Sequence, residues 1–179
     1  MTLVPVGIAG LALIVTYTGW INKHPLLCLV APGIGFGFLM VVGSQFVLTG
    51  YFSSLAWLVA SIPFLLVNNL LLLNQYPDIH ADAQVGLYHL PIAYGIKTAN
   101  IVYAFFSIMT LMIITAAIVS GDIPALSLIA IVPMPLAFYA LYGAIRHGKA
   151  IGEHPQYLGA NVAVTLTTPL LLGIALILG

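Results

Sequence analysis

The sequence predicts an all-α protein, a polytopic membrane bundle of about six transmembrane helices. Of its 179 residues, 62% are hydrophobic and only 4% are charged, whereas a soluble domain carries about 25% charged residues. A chain so poor in charge cannot cover a water-facing surface, which excludes the soluble enzyme folds. Its long apolar runs show no alternation of period two, and this favours helices over a transmembrane β-barrel.

Six apolar segments approach the roughly 20 residues that a helix needs to cross the hydrocarbon layer. Polar residues, Gly and Pro delimit them at 3–17, 25–48, 55–73, 100–119, 124–145 and 158–178. The first is the shortest, but it lacks the basic leader and cleavage site of a signal peptide, so we interpret it as a span. Because no linker is long enough to divide the chain, we expect one transmembrane domain over residues 1–179.

The four cations predict the orientation of the bundle. With six spans, Lys23, Lys97, Arg146 and Lys149 all fall in loops on one side, and the opposite loops contain no Lys or Arg. Since Lys and Arg favour cytoplasmic loops, we expect that side to face the cytoplasm. The formal net charge is zero, which argues against a nucleic-acid partner because such a partner needs a clustered basic surface.

Half of the acidic residues of the chain lie within five positions, after the third predicted span. Asn74, Asp78 and Asp82 are spaced by four, so a continued helix would place their side chains on one face. Pro77 is expected to bend or restart that helix, and Gly86 can end it. Neighbouring carboxylates repel each other, and a hard divalent cation such as Mg²⁺ would relieve that repulsion. The alternative is that these acids are simply solvated in a loop.

Two glycines in the second predicted span, Gly33 and Gly37, are four residues apart. This spacing favours close packing against another helix over a role in ligand binding. Amide side chains also lie near the end of the third span, at Asn68, Asn69 and Asn74. Polar groups at membrane depth line a cavity or pair with each other.

Residues 74–95, NQYPDIHADAQVGLYHLPIAYG, resemble the second aspartate-rich motif of the UbiA superfamily of intramembrane prenyltransferases. The D-x-x-x-D core and the later H-L-P-I are similar to the quinone-pathway, menaquinone-type branch of that superfamily. Residues 17–19 and 32–50 are similar to the segment that precedes the motif. The order and spacing of both stretches agree with the family.

This resemblance implies an integral membrane enzyme, with its site facing the cytoplasm, in the inner (cytoplasmic) membrane of a bacterium or archaeon. Such enzymes transfer a polyprenyl group from polyprenyl diphosphate to an aromatic acceptor, here an aromatic quinone precursor such as a dihydroxynaphthoate. By the same resemblance, Mg²⁺ would be held by Asp78 and Asp82, which would also be the catalytic residues. The substrate-binding residues would be Asn74, Tyr76, His89 and Lys97.

One departure of the chain from the family pattern concerns the first aspartate-rich motif. The sequence contains no first aspartate-rich motif, because the other two acids of the chain, Asp122 and Glu153, are isolated. The six spans therefore resemble the last six of a nine-helix prenyltransferase, and another chain could supply the first motif. Two alternatives to the enzyme remain at this point, a non-catalytic or degenerate membrane subunit and a small membrane transporter.

Overall fold

The computed structural model describes residues 4–179, and in this part of the chain every regular element is helical. Five helical segments are long and apolar enough to cross a membrane, and a sixth helix is shorter. An all-helical polytopic bundle of about six spans is therefore confirmed. The α-helices are α1 (Val4–Gly19), α2 (Pro25–Thr49), α3 (Ser54–Asn74), α4 (Ile79–Gln84), α5 (Leu90–Ser120), α6 (Met134–His147) and α7 (Pro155–Leu178). Short 3-10 segments lie at Ile21–Lys23, Ala125–Ile131 and Gly148–Glu153.

The fourth span differs from the sequence-based prediction, because α5 begins at Leu90 and not at residue 100. Pro91 occupies the first helical turn, a position where its missing N–H costs nothing. Gly95 interrupts the helix with φ 81° and ψ 164°, a conformation that favours glycine. The prediction placed the start too late because Gly95 and Lys97 look like loop residues in the sequence.

The middle of α2 widens into a π-helix over Ile34–Val42. This conformation is rare and is often found at functional sites. Just before it, the backbone N–H of Gly33 donates to Oδ1 of Asn68 on α3 at 2.7 Å. A Cβ atom on Gly37 would lie 2.7 Å from Cα of Phe64, so the two helices touch through their backbones. The predicted packing role of the glycines is confirmed.

Helix α3 lies at the centre of the bundle and packs against α2, α5 and α7. Buried polar side chains join three of these helices. Asn69 Nδ2 donates to the Tyr103 carbonyl and to Ser107 Oγ, both at 3.0 Å, and the Tyr103 hydroxyl donates to Asn161 Oδ1 at 2.8 Å. Lipid offers no hydrogen-bond partners to these polar side chains. They are therefore buried inside the bundle, where they form hydrogen bonds with each other across the helices.

Three loops meet at one end of the bundle. The backbone N–H of Tyr88 donates to the carbonyl of Asn22 at 3.0 Å, and Lys149 Nζ donates to His80 Nε2 at 3.1 Å. These loops carry or adjoin the four cations, so the structure places the cations at one end, as six spans require. That this end faces the cytoplasm stays a prediction.

Candidate functional site

A polar cavity of about 270 Å³ lies at this end of the bundle. It is formed where the end of α3, the following loop and α4 face the end of α1 and the start of α2. Both aspartates of the D-x-x-x-D motif line it. The complete lining consists of Tyr17, Asn22, Cys28, Leu71, Asn74, Gln75, Asp78, Asp82, Leu87 and His89.

The local fold explains why the two aspartates lie together. Helix α3 ends at Asn74, and the chain turns through residues 75–78 around Pro77 before α4 begins. The backbone N–H of Asp82 donates to the carbonyl of Asp78 at 2.8 Å, so the two carboxylates are one helical turn apart. Gly86, with φ 81°, then reverses the chain after α4. The predicted bend at Pro77 and the predicted end at Gly86 are both found.

His89 fixes one of these carboxylates. Its Nε2 lies 3.0 Å from Oδ2 of Asp82, and only 2% of the residue is exposed. Burial lowers the pKa of His89, and the contact with Asp82 opposes that shift. A carboxylate can only accept, so Nε2 carries the proton of this hydrogen bond. The imidazole therefore holds Asp82 in one orientation and leaves Oδ1 without this constraint.

Two of the residues predicted to bind substrate lie outside the cavity lining. Tyr76 is fully buried on another side of the turn, and its hydroxyl donates to Asn100 Oδ1 at 2.9 Å. Burial raises the pKa of Tyr76. Lys97 is exposed on α5, two residues after the break at Gly95. The structure thus brings together Asn74, Asp78, Asp82 and His89, and it leaves Tyr76 and Lys97 apart from them.

Several lining residues were not predicted. Cys28 is buried in the cavity wall, where Gln75 Nε2 donates to its sulfur at 3.5 Å and the Tyr17 hydroxyl lies 3.8 Å from it. Asn22 comes from the short segment before α2. No local pattern marks either Cys28 or Asn22, because only the packing of α1 and α2 against α3 brings them to the motif.

A second, apolar cavity of about 610 Å³ lies between α1 and α2. It shares Tyr17 and Leu71 with the polar cavity. Apart from Tyr17, every residue of its lining is apolar, Gly or Pro, and the π-helical part of α2 forms much of one wall. The lining is Val6, Gly10, Leu13, Ile14, Tyr17, Ala31, Pro32, Gly35, Phe36, Leu39, Met40 and Leu71. The two cavities together offer a polar end and a long apolar end.

The oxygen atoms of the polar cavity fit a hard cation. Mg²⁺ is usually held by one or two carboxylates, with water and substrate phosphates completing its coordination. Asp78 and Asp82 supply two carboxylates and Asn74 supplies an amide oxygen. Within residues 4–179, no group of three or more His, Cys, Asp or Glu residues is placed to hold a metal ion. A bound Mg²⁺ would therefore depend on water and phosphate for most of its ligands.

Comparison with known proteins decides the family. The model of the UbiA prenyltransferase family matches residues 1–153, which include α1 to α6 and both cavities. The chain belongs to the UbiA prenyltransferase family. No curated protein and no solved structure matches it. Membership in UbiA implies prenyltransferase activity in general, with a polyprenyl diphosphate and an acceptor as substrates, and it agrees with the membrane-spanning helices.

Proposed function

We propose that this UbiA chain transfers a polyprenyl group from polyprenyl diphosphate to an aromatic quinone precursor, in a reaction that depends on Mg²⁺. One observation carries the proposal. The cavity that contains Asp78 and Asp82 adjoins the apolar cavity, and Tyr17 and Leu71 line both. A molecule with an anionic diphosphate head and a long hydrocarbon tail needs these two environments side by side.

In the proposed reaction, Asp78 and Asp82 hold Mg²⁺ and His89 keeps Asp82 in place. Bound Mg²⁺ supplies charge neutralisation for the diphosphate. The allylic C–O bond breaks and its electron pair leaves with the diphosphate, while a ring carbon of the acceptor forms the new C–C bond and then loses a proton. Tyr17 lies where the two cavities meet, so an aromatic ring is available near the developing allylic cation.

The identity of the acceptor rests on resemblance alone. Residues 89–92, H-L-P-I, are similar to the menaquinone-type branch, which suggests a dihydroxynaphthoate. We further propose that another chain carrying the first aspartate-rich motif could complete the metal site. Such a partner would supply the carboxylates that the two acids outside this motif, Asp122 and Glu153, do not provide.

The test is a transfer assay in membranes that contain this chain, with labelled polyprenyl diphosphate, Mg²⁺ and a dihydroxynaphthoate. We expect labelled product from the native chain and its loss in Asp78→Asn and Asp82→Asn. Asp122→Asn is the matched control, because Asp122 is an exposed carboxylate in the loop after α5 and lines neither cavity. Undiminished product from the Asp78 and Asp82 variants would refute the proposed metal ligands.

A second function is favoured by one specific observation. No Lys or Arg is among the residues that line the polar cavity, although a diphosphate carries several negative charges. This favours a non-catalytic or degenerate membrane subunit that holds a diphosphate only weakly. It predicts weak binding of polyprenyl diphosphate even with Mg²⁺, and no product with any aromatic acceptor, with or without a partner chain.

A further inference from the structure

A cluster of aromatic and basic side chains lies at the end of α6 and the start of α7, outside both cavities. The ring of Tyr157 forms its centre, and those of Tyr139 and His147 lie 4.7 and 5.5 Å from it, centroid to centroid. The rings of His147 and His154 are tilted by 36° with their centroids 3.6 Å apart. We call this cluster the interfacial patch; it consists of Tyr139, Tyr142, Arg146, His147, His154 and Tyr157.

The backbone makes this cluster possible. Gly143 on α6 faces Tyr157, and a Cβ atom there would collide with the tyrosine ring. The ring of Tyr157 therefore lies directly against the backbone of α6 and is buried. The rings of Tyr139 and Tyr142 remain on the outer surface, 43% and 50% exposed.

Arg146 gives the patch a positive charge and forms no ion pair within residues 4–179, although the carboxylate of Glu153 lies close enough to His147 to act on the pKa of that imidazole. Its Nη1 donates to the Tyr142 hydroxyl at 2.7 Å, and its guanidinium lies 5.9 Å from the centre of the same ring. Within residues 4–179 the sole ion pair joins His89 and Asp82, so Glu153 does not pair with Arg146. A guanidinium has five N–H donors in a planar fork that matches a phosphate group, and the bond to Tyr142 uses one of them.

The outer surface below this charge is apolar. Phe138 and Ile145, also on α6, are 39% and 65% exposed. In a membrane this surface contacts acyl chains, and tyrosine is typical of the level where acyl chains meet headgroups. A cation at that level, above an apolar helix surface, is complementary to a lipid with a negatively charged headgroup.

From this arrangement we infer that the interfacial patch binds one anionic phospholipid. Its phosphate contacts Arg146, with N–H groups of His147 and His154 as further donors, and its acyl chains lie along the outer surface of α6. This site is distinct from the proposed prenyl transfer, because none of the six patch residues lines either cavity.

The test is native mass spectrometry of the full chain in detergent, titrated with phosphatidylglycerol or with phosphatidylcholine. Both lipids carry a phosphate, but only phosphatidylglycerol has a net negative charge. We expect phosphatidylglycerol to be retained preferentially. Arg146→Gln should weaken its retention about five-fold, the effect expected for one cation at a membrane surface. Lys97→Gln is the matched control, since Lys97 is an exposed cation at the same end but outside the patch.

Three results would overturn the inference. The first is equal retention of the two lipids by the native chain. The second is an equal loss of phosphatidylglycerol in Lys97→Gln and Arg146→Gln, which would indicate diffuse attraction to the whole cationic end. The third is complete displacement of phosphatidylglycerol by millimolar inorganic phosphate, which would indicate a phosphate site that does not select a lipid.

Arg146→Lys, which keeps the charge and loses the planar fork, should retain an intermediate amount of phosphatidylglycerol.

Discussion

The contact between His89 and Asp82 shows how one side chain can act through another. His89 is buried, and its 3.0 Å hydrogen bond fixes the carboxylate of Asp82 at the edge of the polar cavity. Partners that orient a metal ligand contribute strongly to metal affinity although they do not touch the metal. We therefore regard His89 as a positioning residue for the proposed Mg²⁺ site.

Replacement of His89 tests this role. We expect His89→Ala to weaken Mg²⁺-dependent binding of polyprenyl diphosphate by about 10-fold or more, because Asp82 would lose its orienting donor. His89→Gln should recover part of the affinity, since an amide N–H can replace Nε2–H. Isothermal titration of the purified chain measures both. Equal affinity in His89→Ala and the native chain would show that Asp82 needs no such support.

Tyr76, unlike His89, is expected to stabilise the fold without contributing to diphosphate binding. It belongs to the motif, but it is fully buried and its hydroxyl donates to Asn100. Tyr76→Phe should lower the free energy of unfolding by about 1 kcal/mol, because one buried hydrogen bond is lost. Diphosphate binding should stay unchanged. Unfolding in detergent and the same titration check the two expectations, and a loss of binding without a loss of stability would place Tyr76 in the site after all.

At the scale of the elements, the π-helical part of α2 connects the bundle to the apolar cavity. Gly33, just before this segment, and Gly37, within it, allow α2 to pack closely against α3. The Gly33 N–H also donates to Asn68. Gly35 and Met40, from the same segment, line the apolar cavity. The packing on one side of α2 therefore determines the shape of the cavity wall on the other side.

Replacing Gly37 or Gly35 by alanine distinguishes the effect of a steric clash with α3 from the effect of simply losing a glycine. Gly37→Ala should destabilise the protein by about 1–3 kcal/mol, because its Cβ would lie 2.7 Å from the backbone of Phe64. Gly35→Ala is the matched control, since its Cβ would lie 3.4 Å from the Leu13 side chain, an ordinary contact. Thermal unfolding in detergent compares the two. If both variants were equally stable, close backbone packing would not be what holds α2 in place.

The elements also show how far sequence patterns reach. The helical spans and the bend at Pro77 followed from hydropathy and from Pro, because these properties are local. Asn74, Asp78 and Asp82 line a common cavity, but not as one face of a continued helix, because α3 ends at Asn74 and a turn separates it from α4. The resemblance identified His89 as a site residue, but it did not predict the hydrogen bond to Asp82. That hydrogen bond depends on the chain reversal at Gly86, and a reversal leaves no periodic pattern in the sequence.

Other parts of the site could not be predicted because they depend on contacts between distant segments. Asn22 and Cys28 reach the polar cavity through the packing of α2 against α3. The position of Tyr76 outside the polar cavity could not be predicted for a related reason. It lies in a turn between two helices, where the side to which a residue points is not set by a helical period.

For the whole molecule, the important feature is that the polar and apolar cavities are neighbours. Gly10 lines the apolar cavity from α1, and a Cβ atom there would lie 3.9 Å from Leu39. Gly10→Phe should fill part of this cavity. If the proposed tail site loses about 60 Å² of apolar contact, binding of a long-chain polyprenyl diphosphate should weaken roughly 10-fold.

The same substitution should leave the diphosphate end unaffected. Dimethylallyl diphosphate, which has a short tail, should bind Gly10→Phe and the native chain equally well. Gly7→Phe is the matched control, because Gly7 is exposed on α1 and lies outside the cavity lining. Competition binding with the two diphosphates measures these effects. Equal weakening of both ligands in Gly10→Phe would contradict a separate site for the tail.

In the proposed site, the carboxylates of Asp78 and Asp82, at the cationic end of the bundle, hold a divalent metal ion against a diphosphate. The most direct measurement uses Mn²⁺ in place of Mg²⁺ and records the magnetic coupling between the metal and phosphorus in the presence of polyprenyl diphosphate. We expect phosphorus coupling in the native chain and in Asp122→Asn, and its loss in Asp78→Asn and Asp82→Asn. Coupling that persists when both Asp78 and Asp82 are replaced would contradict the proposed site.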